Sequence, residues 1–241
     1  MKSNPSTKFW DDVICQLPVC RELEANWEKI RDEYLQYETT QHPYAASGNR
    51  VSLPAPNVTL SHSRYDNEDL QAKNDDQNKL YSGSWDVAVA GTMPGNDPKQ
   101  WANTEMVRKI LKWKTKVDLE THLEYVKQQF KTFNSIVEMY ADKNQCSGAM
   151  FSIMHPGAVV NPHFGSDEIM RCHLCLINDT GCTITVGDET RNWQEGKILA
   201  FKDGRPYEHS VKHVGQSRRL VLMFDFDIEY LKTKFPNINY L

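Results

Sequence analysis

The sequence predicts a mainly β core, either a sandwich or a barrel, preceded by a helical and loop-rich region. Downstream of Ala149 the chain holds many short β-rich runs with turn residues between them, and upstream of it apolar residues recur at helical spacing. We therefore expect a single domain over residues 1–241, in which residues 1–145 flank a motif-bearing core at residues 146–232.

The flanking region is predicted to contain helices separated by loops. One helix is expected within residues 9–37, where apolar residues recur at steps of four, three and four, namely at Leu23, Trp27, Ile30 and Tyr34. Residues 42–78 carry the prolines and polar runs typical of loops, and Trp85–Ala90 alternates as a strand does. Two further helices are expected to begin at Thr104 and Asp118, because the threonine hydroxyl caps free amides and apolar residues at helical spacing follow the aspartate.

The core is predicted to consist of short strands. The β-rich runs are residues 150–154, 171–177, 182–186, 197–201 and 219–226. The turns around them are His155–Gly157, Asn178–Gly181, Gly187–Glu189 and Asp203–Gly204.

Composition excludes several classes of partner. The chain has 28 Lys and Arg against 32 Asp and Glu, a formal net charge of -4, which leaves no cationic surplus for nucleic acid or an acidic membrane surface. No apolar run is long enough to cross a bilayer and the amino terminus lacks a signal-peptide pattern, so a cytoplasmic protein is expected.

Six cysteines are too sparse for a disulfide scaffold, and Cys172 and Cys175 form a C-x-x-C without a second half, so buried thiols are expected.

Histidines cluster in the β-rich part of the chain. Five of the eight lie there, namely His155, His163, His173, His209 and His213. His163 follows a proline between two predicted strands, where a neutral imidazole could bind a metal at the mouth of a barrel. Arg219 opens an apolar strand, a costly place for a charge unless an anion pairs with it.

Period-two geometry places further polar groups on one face. Arg171 and His173 share a strand face, and Ser152 shares a face with Met150 and Met154. One inward surface could therefore present a hydroxyl, an imidazole and a guanidinium near two rim histidines. That set suits a dicarboxylate chelated to iron.

Seven short motifs in this region resemble one known family. They are Phe151–Gly157, Asn161–Gly165, Met170–Leu174, Gly187–Trp193, Glu195–Leu199, Glu208–His209 and Arg219–Leu220. In these motifs the chain is similar to the aspartyl/asparaginyl β-hydroxylases, iron(II)- and 2-oxoglutarate-dependent oxygenases built on a double-stranded β-helix of the jelly-roll, cupin-like type. The resemblance covers about residues 151–227, and upstream of Ala149 it is faint.

The resemblance implies a role for each matched residue. His163 and His209 would ligate Fe(II), and Ser152 and Arg219 would hold the distal carboxylate of 2-oxoglutarate. In the same comparison, His173 and Arg171 would lie near the chelating end of 2-oxoglutarate or near the substrate. The cofactors implied are Fe(II), 2-oxoglutarate as cosubstrate and O2.

Three departures bear on chemistry and substrate. Gly165 stands two residues after His163, where most non-haem iron oxygenases have a carboxylate ligand; the hydroxylase family shares this glycine, with water in place of the carboxylate. The family commonly has a second arginine two residues before the one matched to Arg171, and this chain has Ile169 there. The segment from His163 to His173 is also one residue shorter than in the family.

The expected function is hydroxylation of an unactivated C–H of an amino acid, an amino-acid-derived metabolite or an Asp/Asn side chain, with release of succinate and CO2. A small-molecule or amino-acid substrate is favoured as partner. Alternatives remain open, because the vacancy at Gly165 also occurs in iron halogenases and because a β-barrel can bind metal without turnover. Zinc-dependent hydrolysis is a weaker alternative, since a catalytic zinc usually has three protein ligands. The oligomeric state, the carbon oxidised and the stereochemistry are left open.

Overall fold

A computed structural model describes residues 8–41, 81–82, 85–92, 119–141 and 148–240. Within these residues the strands are β1 (Tyr81–Ser82), β2 (Trp85–Thr92), β3 (Gly148–Met154), β4 (Val159–His163), β5 (Ile169–Ile177), β6 (Cys182–Val186), β7 (Glu189–Asn192), β8 (Ile198–Lys202), β9 (His209–His213) and β10 (Arg219–Asp227). The helices are α1 (Asp11–Ile14), α2 (Pro18–Ala25), α3 (Trp27–Gln41), α4 (Leu119–Gln129), α5 (Lys131–Tyr140) and α6 (Ile228–Lys234).

The described strands form two five-stranded sheets. The minor sheet has the order β1-β4-β9-β6-β7 and the major sheet the order β2-β3-β10-β5-β8, with antiparallel pairing throughout. From β3 to β10 consecutive strands alternate between the sheets, except that β6 and β7 form a hairpin within the minor sheet, as in a double-stranded β-helix. The jelly-roll fold expected from the sequence is therefore confirmed.

Two apolar layers hold this arrangement together. Helices α1 to α5 pack on the outer face of the major sheet, where Phe151 and Phe224 are buried against residues such as Ile30 and Phe133. A smaller layer lies between the sheets and includes Val221. Neighbours in β10 thus face opposite layers, as period-two geometry requires.

The cysteines follow the same rule. Cys172 belongs to the helix-facing layer and Cys175 to the layer between the sheets, because a spacing of three puts them on opposite faces of β5. Both are buried, as are Cys20 and Cys182, and all the described cysteines are free thiols. The expectation of buried thiols is confirmed for these four residues, whereas Cys15 is only partly buried.

The predicted elements agree with the structure in most places. Strand Trp85–Ala90 forms β2, the five core strands form β3, β5, β6, β8 and β10, and the helix expected after Asp118 forms α4 and α5. The single helix predicted within residues 9–37 is three, because Pro18 starts a new helix at its first turn. The helix expected from Thr104 and the loops over residues 42–78 lie outside the described residues.

Strands β4, β7 and β9 were not predicted. Strand β4 contains Pro162 and an irregular register between Val160 and His163, which hides the alternation of the sequence. In β9 two of the three inward positions are His209 and His213, so the buried face does not read as apolar. None of the described helices is both long enough and apolar enough to span a bilayer.

Candidate functional site

The two rim histidines lie opposite each other on paired strands of the minor sheet. His163 ends β4 and His209 begins β9, and the two residues are cross-strand partners. Their ring centroids are 4.1 Å apart, with the ring planes inclined at 56°. Antiparallel pairing holds the two Cβ atoms about 5 Å apart, so both imidazoles can reach one point without backbone movement. The structure thus brings together the two residues predicted to ligate a metal.

Each imidazole has a feature that suits it to binding a metal ion. The Nδ1 atom of His163 lies 2.8 Å from the carbonyl oxygen of Asn161; since a carbonyl only accepts, Nδ1 is the donor in this contact, and Nε2 is the nitrogen left to face a ligand. Burial, and secondarily the nearby His163, lowers the pKa of His209 to about 3, while Asp203 acts in the opposite direction. A neutral imidazole is the form that binds a metal ion.

A buried aspartate that the sequence analysis treated as a turn residue lies beside this pair. Asp203 is 2% exposed, and its Oδ1 atom lies 3.6 Å from Nε2 of His209. The amide of Gly165 donates to the Asp203 carbonyl (2.8 Å), and the amide of Ser166 donates to its carboxylate (2.9 Å). A Cβ atom on Gly165 would overlap that carboxylate. The glycine is therefore required here, because the acid from the β8–β9 loop fills the space beside residue 165.

Arg171 lies next in this wall and is already paired. Its Nη1 atom is 3.0 Å from Oδ1 of Asp203, and its Nε and Nη2 atoms donate to the two carboxylate oxygens of Asp225 at 3.0 and 3.1 Å. Asp225 is its cross-strand partner on β10. The guanidinium therefore fixes Asp203 beside the histidines, and its predicted contact with 2-oxoglutarate or substrate remains a prediction.

At the other end of β10, Arg219 is buried with no acidic side chain paired to it among the described residues. It is 1% exposed, and none of the ion pairs found among the described residues includes it. Its Nη2 atom donates to Oγ of Ser152 (3.0 Å), and the same oxygen accepts from Nε1 of Trp85 (2.9 Å). Burial lowers the pKa of Arg219, and the groups that act against this are the thiols of Cys175 and Cys182.

A series of contacts between aromatic rings connects the histidine pair with Arg219. Phe201 contacts His209 at 5.0 Å and His173 at 5.5 Å between centroids. His173 stacks on Trp193 at 5.9 Å, and the Trp193 ring carries the guanidinium of Arg219 at 4.7 Å. His173 is 6% exposed, and burial, followed by the charge of Arg219, lowers its pKa well below the usual range. The predicted histidines and Arg219 therefore line one continuous interior.

This interior contains most of the unsatisfied polar atoms of the described chain. Nine buried side-chain nitrogen or oxygen atoms have no hydrogen-bond partner, and six of them are Nδ1 and Nε2 of His173, Nε1 of Trp193, Nδ1 of His209, Nε2 of His213 and Nε of Arg219. Buried polar groups are nearly always hydrogen-bonded in folded proteins. A cluster of exceptions on inward faces therefore marks a place built for a polar, anionic or metal-bound ligand.

Two observations concern other residues that could contribute to a metal site. Asp167 is exposed and accepts hydrogen bonds from the backbone amide (2.6 Å) and the guanidinium (3.3 Å) of Arg205. These contacts, chiefly the one from the amide, lower the pKa of Asp167. Among the described residues, no group of three or more His, Cys, Asp or Glu side chains could hold a metal ion. The assignment of His163 and His209 as metal ligands therefore remains a prediction.

Comparison with known proteins agrees with this geometry. The family model for Aspartyl/Asparaginyl beta-hydroxylase matches residues 60–228. The mouse (Mus musculus) protein named Aspartyl/asparaginyl beta-hydroxylase is 39% identical over 95 residues, which are 38% of this chain and 13% of that protein. The Ornithine lipid ester-linked acyl 2-hydroxylase of Rhizobium tropici is 38% identical over 97 residues, which are 38% of this chain and 33% of that protein. Each match thus spans well under two thirds of the relative.

A solved oxidoreductase of the 2OG-Fe(II) oxygenase family from Burkholderia pseudomallei aligns over 64% of this chain and 70% of that one, with a TM-score of 0.37 and 10% identity. At that similarity the strand order of the chain itself, rather than the superposition, defines the fold. The family match begins at residue 60, well upstream of the part in which the sequence motifs were found. The chain belongs to the aspartyl/asparaginyl β-hydroxylase family.

Proposed function

We propose that this chain is an iron(II)- and 2-oxoglutarate-dependent dioxygenase that hydroxylates an unactivated C–H bond. The observation that carries the proposal is the interior that runs from a pair of facing histidines to a buried arginine that has no acidic partner among the described residues. The histidine pair is suited to a metal ion and the buried arginine to an anion. A dicarboxylate chelated to a metal ion supplies both partners. Family membership supports the same reaction class.

The residues of the interior fit this pair of cofactors. His163 and His209 would hold Fe(II), and Arg219 with Ser152 would hold the distal carboxylate of 2-oxoglutarate. His173 would border the chelating end, where both of its ring nitrogens are buried and unsatisfied. When bound, iron and 2-oxoglutarate supply the oxidising chemistry, in which O2 converts 2-oxoglutarate to succinate and CO2 while one oxygen atom enters the substrate C–H bond.

The chain's own residues orient the ligands and exclude water. The buried histidine His209 stays neutral because burial disfavours its charged form, so no proton competes for its lone pair near neutral pH. Asp203 places a carboxylate beside His209, and Arg171 holds that carboxylate in place. Aromatic rings such as Phe201 and Trp193 close the wall between the two ends. Positioning, rather than a side-chain nucleophile, is therefore the contribution of the protein.

Two alternatives are less consistent with the interior. A halide entering beside Gly165 would meet the Asp203 carboxylate, so like-charge repulsion favours hydroxylation over halogenation. A metal site without turnover gives no reason to bury Arg219 with an unsatisfied Nε atom.

The substrate class is proposed to be an amino acid, an amino-acid-derived metabolite or an Asp/Asn side chain. Ile169 replaces an arginine common in the family, and Arg171 is engaged by Asp203 and Asp225. Amide and acyl derivatives are therefore worth testing beside free acids, as the name of the Rhizobium relative also suggests.

Succinate release tests the proposal. The full chain is incubated with Fe(II), 2-oxoglutarate and O2, together with amino acids, N-acyl amino acids and Asp- or Asn-containing peptides, and the products are searched for the mass of one added oxygen. We expect succinate release to need iron and to be lost in His163→Ala and His209→Ala, while His155→Ala retains it. Undiminished succinate from His209→Ala would refute the assignment.

A further inference from the structure

Two loop segments at the histidine end of the interior are bound to each other. One follows His163 and the other precedes His209, and we call residues 164–168 and 203–208 together the lip. Asp203 accepts hydrogen bonds from two backbone amides of the first segment (2.8 and 2.9 Å), and Asp167 accepts one from the amide of Arg205 (2.6 Å). These contacts fix the lip beside the histidine pair.

The guanidinium of Arg205 lies on the lip with most of its donors facing solvent. Its central carbon is 5.3 Å from the ring centroid of Phe164, and its Nη1 atom is 3.3 Å from Oδ2 of Asp167. The Arg205 side chain is 72% exposed, and the described residues give its guanidinium no further hydrogen bond, ion pair or ring contact. Most of the five N–H donors of this group are therefore open to a ligand.

The Phe164 ring sets the orientation of this guanidinium. Phe164 is 40% exposed and directly follows His163, so its Cα atom is about 3.8 Å from that of the predicted metal ligand. A ring beneath a guanidinium restrains the plane of the cation and leaves its N–H edge available. Arg205 therefore presents an oriented edge at the mouth of the interior.

Arg171, the other arginine described at the histidine end, is differently placed. Three of its nitrogens contact Asp203 and Asp225, and its side chain is only 23% exposed. By contrast, the one ion pair of Arg205 is exposed on both sides, and such pairs contribute little. The planar edge of a guanidinium matches the two oxygens of a carboxylate, so an incoming carboxylate has its open partner in Arg205.

We propose that Arg205 binds a carboxylate of the substrate at the mouth of the interior and so determines specificity. The proposal rests on the proposed function and narrows its substrate class to molecules with a free carboxylate, as opposed to their amides or esters. The bound carboxylate is not the group that is oxidised, so the contact is made in the ground state and the transition state alike. It should therefore act on KM more than on kcat.

Matched acids and amides test the proposal. The full chain with Fe(II), 2-oxoglutarate and O2 is given aspartate and asparagine, leucine and leucinamide, and N-acetyl-leucine and its amide, and succinate and the mass of one added oxygen are measured. We expect an acid to be oxidised more efficiently than its amide, and the pair that differs shows whether the side-chain or the α-carboxylate is bound. Arg205→Gln should lower kcat/KM for the acid about tenfold or more, chiefly through KM, and leave that for the amide unchanged. Arg205→Lys keeps the charge without the planar edge and should recover part of the loss.

A neighbouring substitution separates binding from a structural role. Asp167→Asn keeps an acceptor for the amide of Arg205 but removes a negative charge beside the guanidinium, so KM for the acid should stay the same or fall about two- to threefold. If Arg205 only stabilised the lip through Asp167, both substitutions would raise KM. Arg31→Gln is the matched control, since Arg31 lies over the ring of Trp27 at 4.9 Å and pairs with Asp32 on helix α3. The Kd for 2-oxoglutarate of the Mn(II)-loaded protein should be unchanged in all three variants.

The possible failures are distinguishable. A wild type that releases no succinate with any of these compounds overturns both the proposed function and this inference. Succinate release without oxidation of any acid, or with amides oxidised as readily as acids, overturns the role of Arg205 alone. An acid preference that persists in Arg205→Gln does the same.

Discussion

Adjacent arginines at the start of β10 are expected to respond to substitution in opposite ways. Arg219 points inward and is 1% exposed without an acid, whereas Arg218 points to the helices and binds both carboxylate oxygens of Glu38. Of the two, only Arg218 forms the ion pair expected of a cation that stabilises the fold. Arg219→Met and Arg218→Met therefore separate a charge kept for ligand binding from one kept for stability.

The magnitudes follow from the contacts that each substitution removes. Arg219→Met loses a hydrogen bond to Ser152, about 1 kcal/mol, and a cation–π contact with Trp193, about 1–2 kcal/mol. It also removes a desolvated charge, and relief of that cost offsets these losses by about 1–4 kcal/mol. The net change without ligand is near zero, so Tm should move by less than about 4 °C.

Ligand binding should show the opposite pattern. A bound carboxylate would lose its buried cation in Arg219→Met, which costs about 3–5 kcal/mol, or about 10²–10⁴-fold in Kd for 2-oxoglutarate. Arg218→Met should keep the wild-type Kd but lower Tm by about 2–8 °C, because a partly buried bidentate pair contributes about 1–2 kcal/mol.

Thermal unfolding with and without 2-oxoglutarate, on the Mn(II)-loaded protein, measures both quantities. In Arg219→Met we expect a near-native Tm without ligand and loss of the ligand-induced rise. A large fall in Tm without ligand, combined with an unchanged ligand-induced rise, would show that Arg219 is a structural cation and would refute the reasoning.

Three further predictions follow from single contacts. Gly165→Ala should lower Tm by about 3–10 °C, because the new methyl overlaps the Asp203 carboxylate; an unchanged Tm in thermal unfolding would contradict this packing. Trp193→Phe should weaken 2-oxoglutarate binding about tenfold in calorimetry with little change in Tm, since its N–H has no protein partner to lose, and equal Kd values would exclude it as a donor. Amides of Ser217 and Gly181 lower the pKa of Asp179 below its usual 3.8, so its stabilising contribution is complete above about pH 4 and is lost as the pH falls further. The difference in Tm between the wild type and Asp179→Asn should therefore be constant near neutral pH and shrink in acid, and a gap that widens in acid would contradict the assignment.

The sequence predicted the parts of the fold whose inward faces are apolar. Strand β10 is buried at nearly every position and strand β5 at most of its positions, so their apolar runs are recognisable from composition alone. Strand β9 is as well formed, but its inward face carries His209 and His213, and no apolar alternation marks it. The strand that carries a predicted metal ligand was therefore harder to predict than the apolar strands around it.

The site shows the same division. His163 and His209 were predicted through motifs, and the structure adds that they are cross-strand partners, which depends on the register of two unpredicted strands. Asp203 could not be predicted from local sequence, because its burial arises from a contact between the β8–β9 loop and Gly165. The sequence did contain one indication of this contact. Gly165 stands where most non-haem iron oxygenases have a carboxylate, and its missing side chain leaves room for an acidic residue from elsewhere in the chain.

The two sheets make different contributions to the interior, and this division explains why its middle is aromatic. The minor sheet carries the histidine pair, while the major sheet carries Arg219. A ligand bound at both ends bridges the two sheets, so its fit depends on the spacing between them. Phe201 and Trp193 lie between the ends and contact His209 and Arg219 respectively. Rigid rings keep a spacing better than flexible side chains, because they lose little conformational entropy on packing. The same rings would hold the metal end and the carboxylate end at one fixed separation, which makes the length of the dicarboxylate a property that the interior can select.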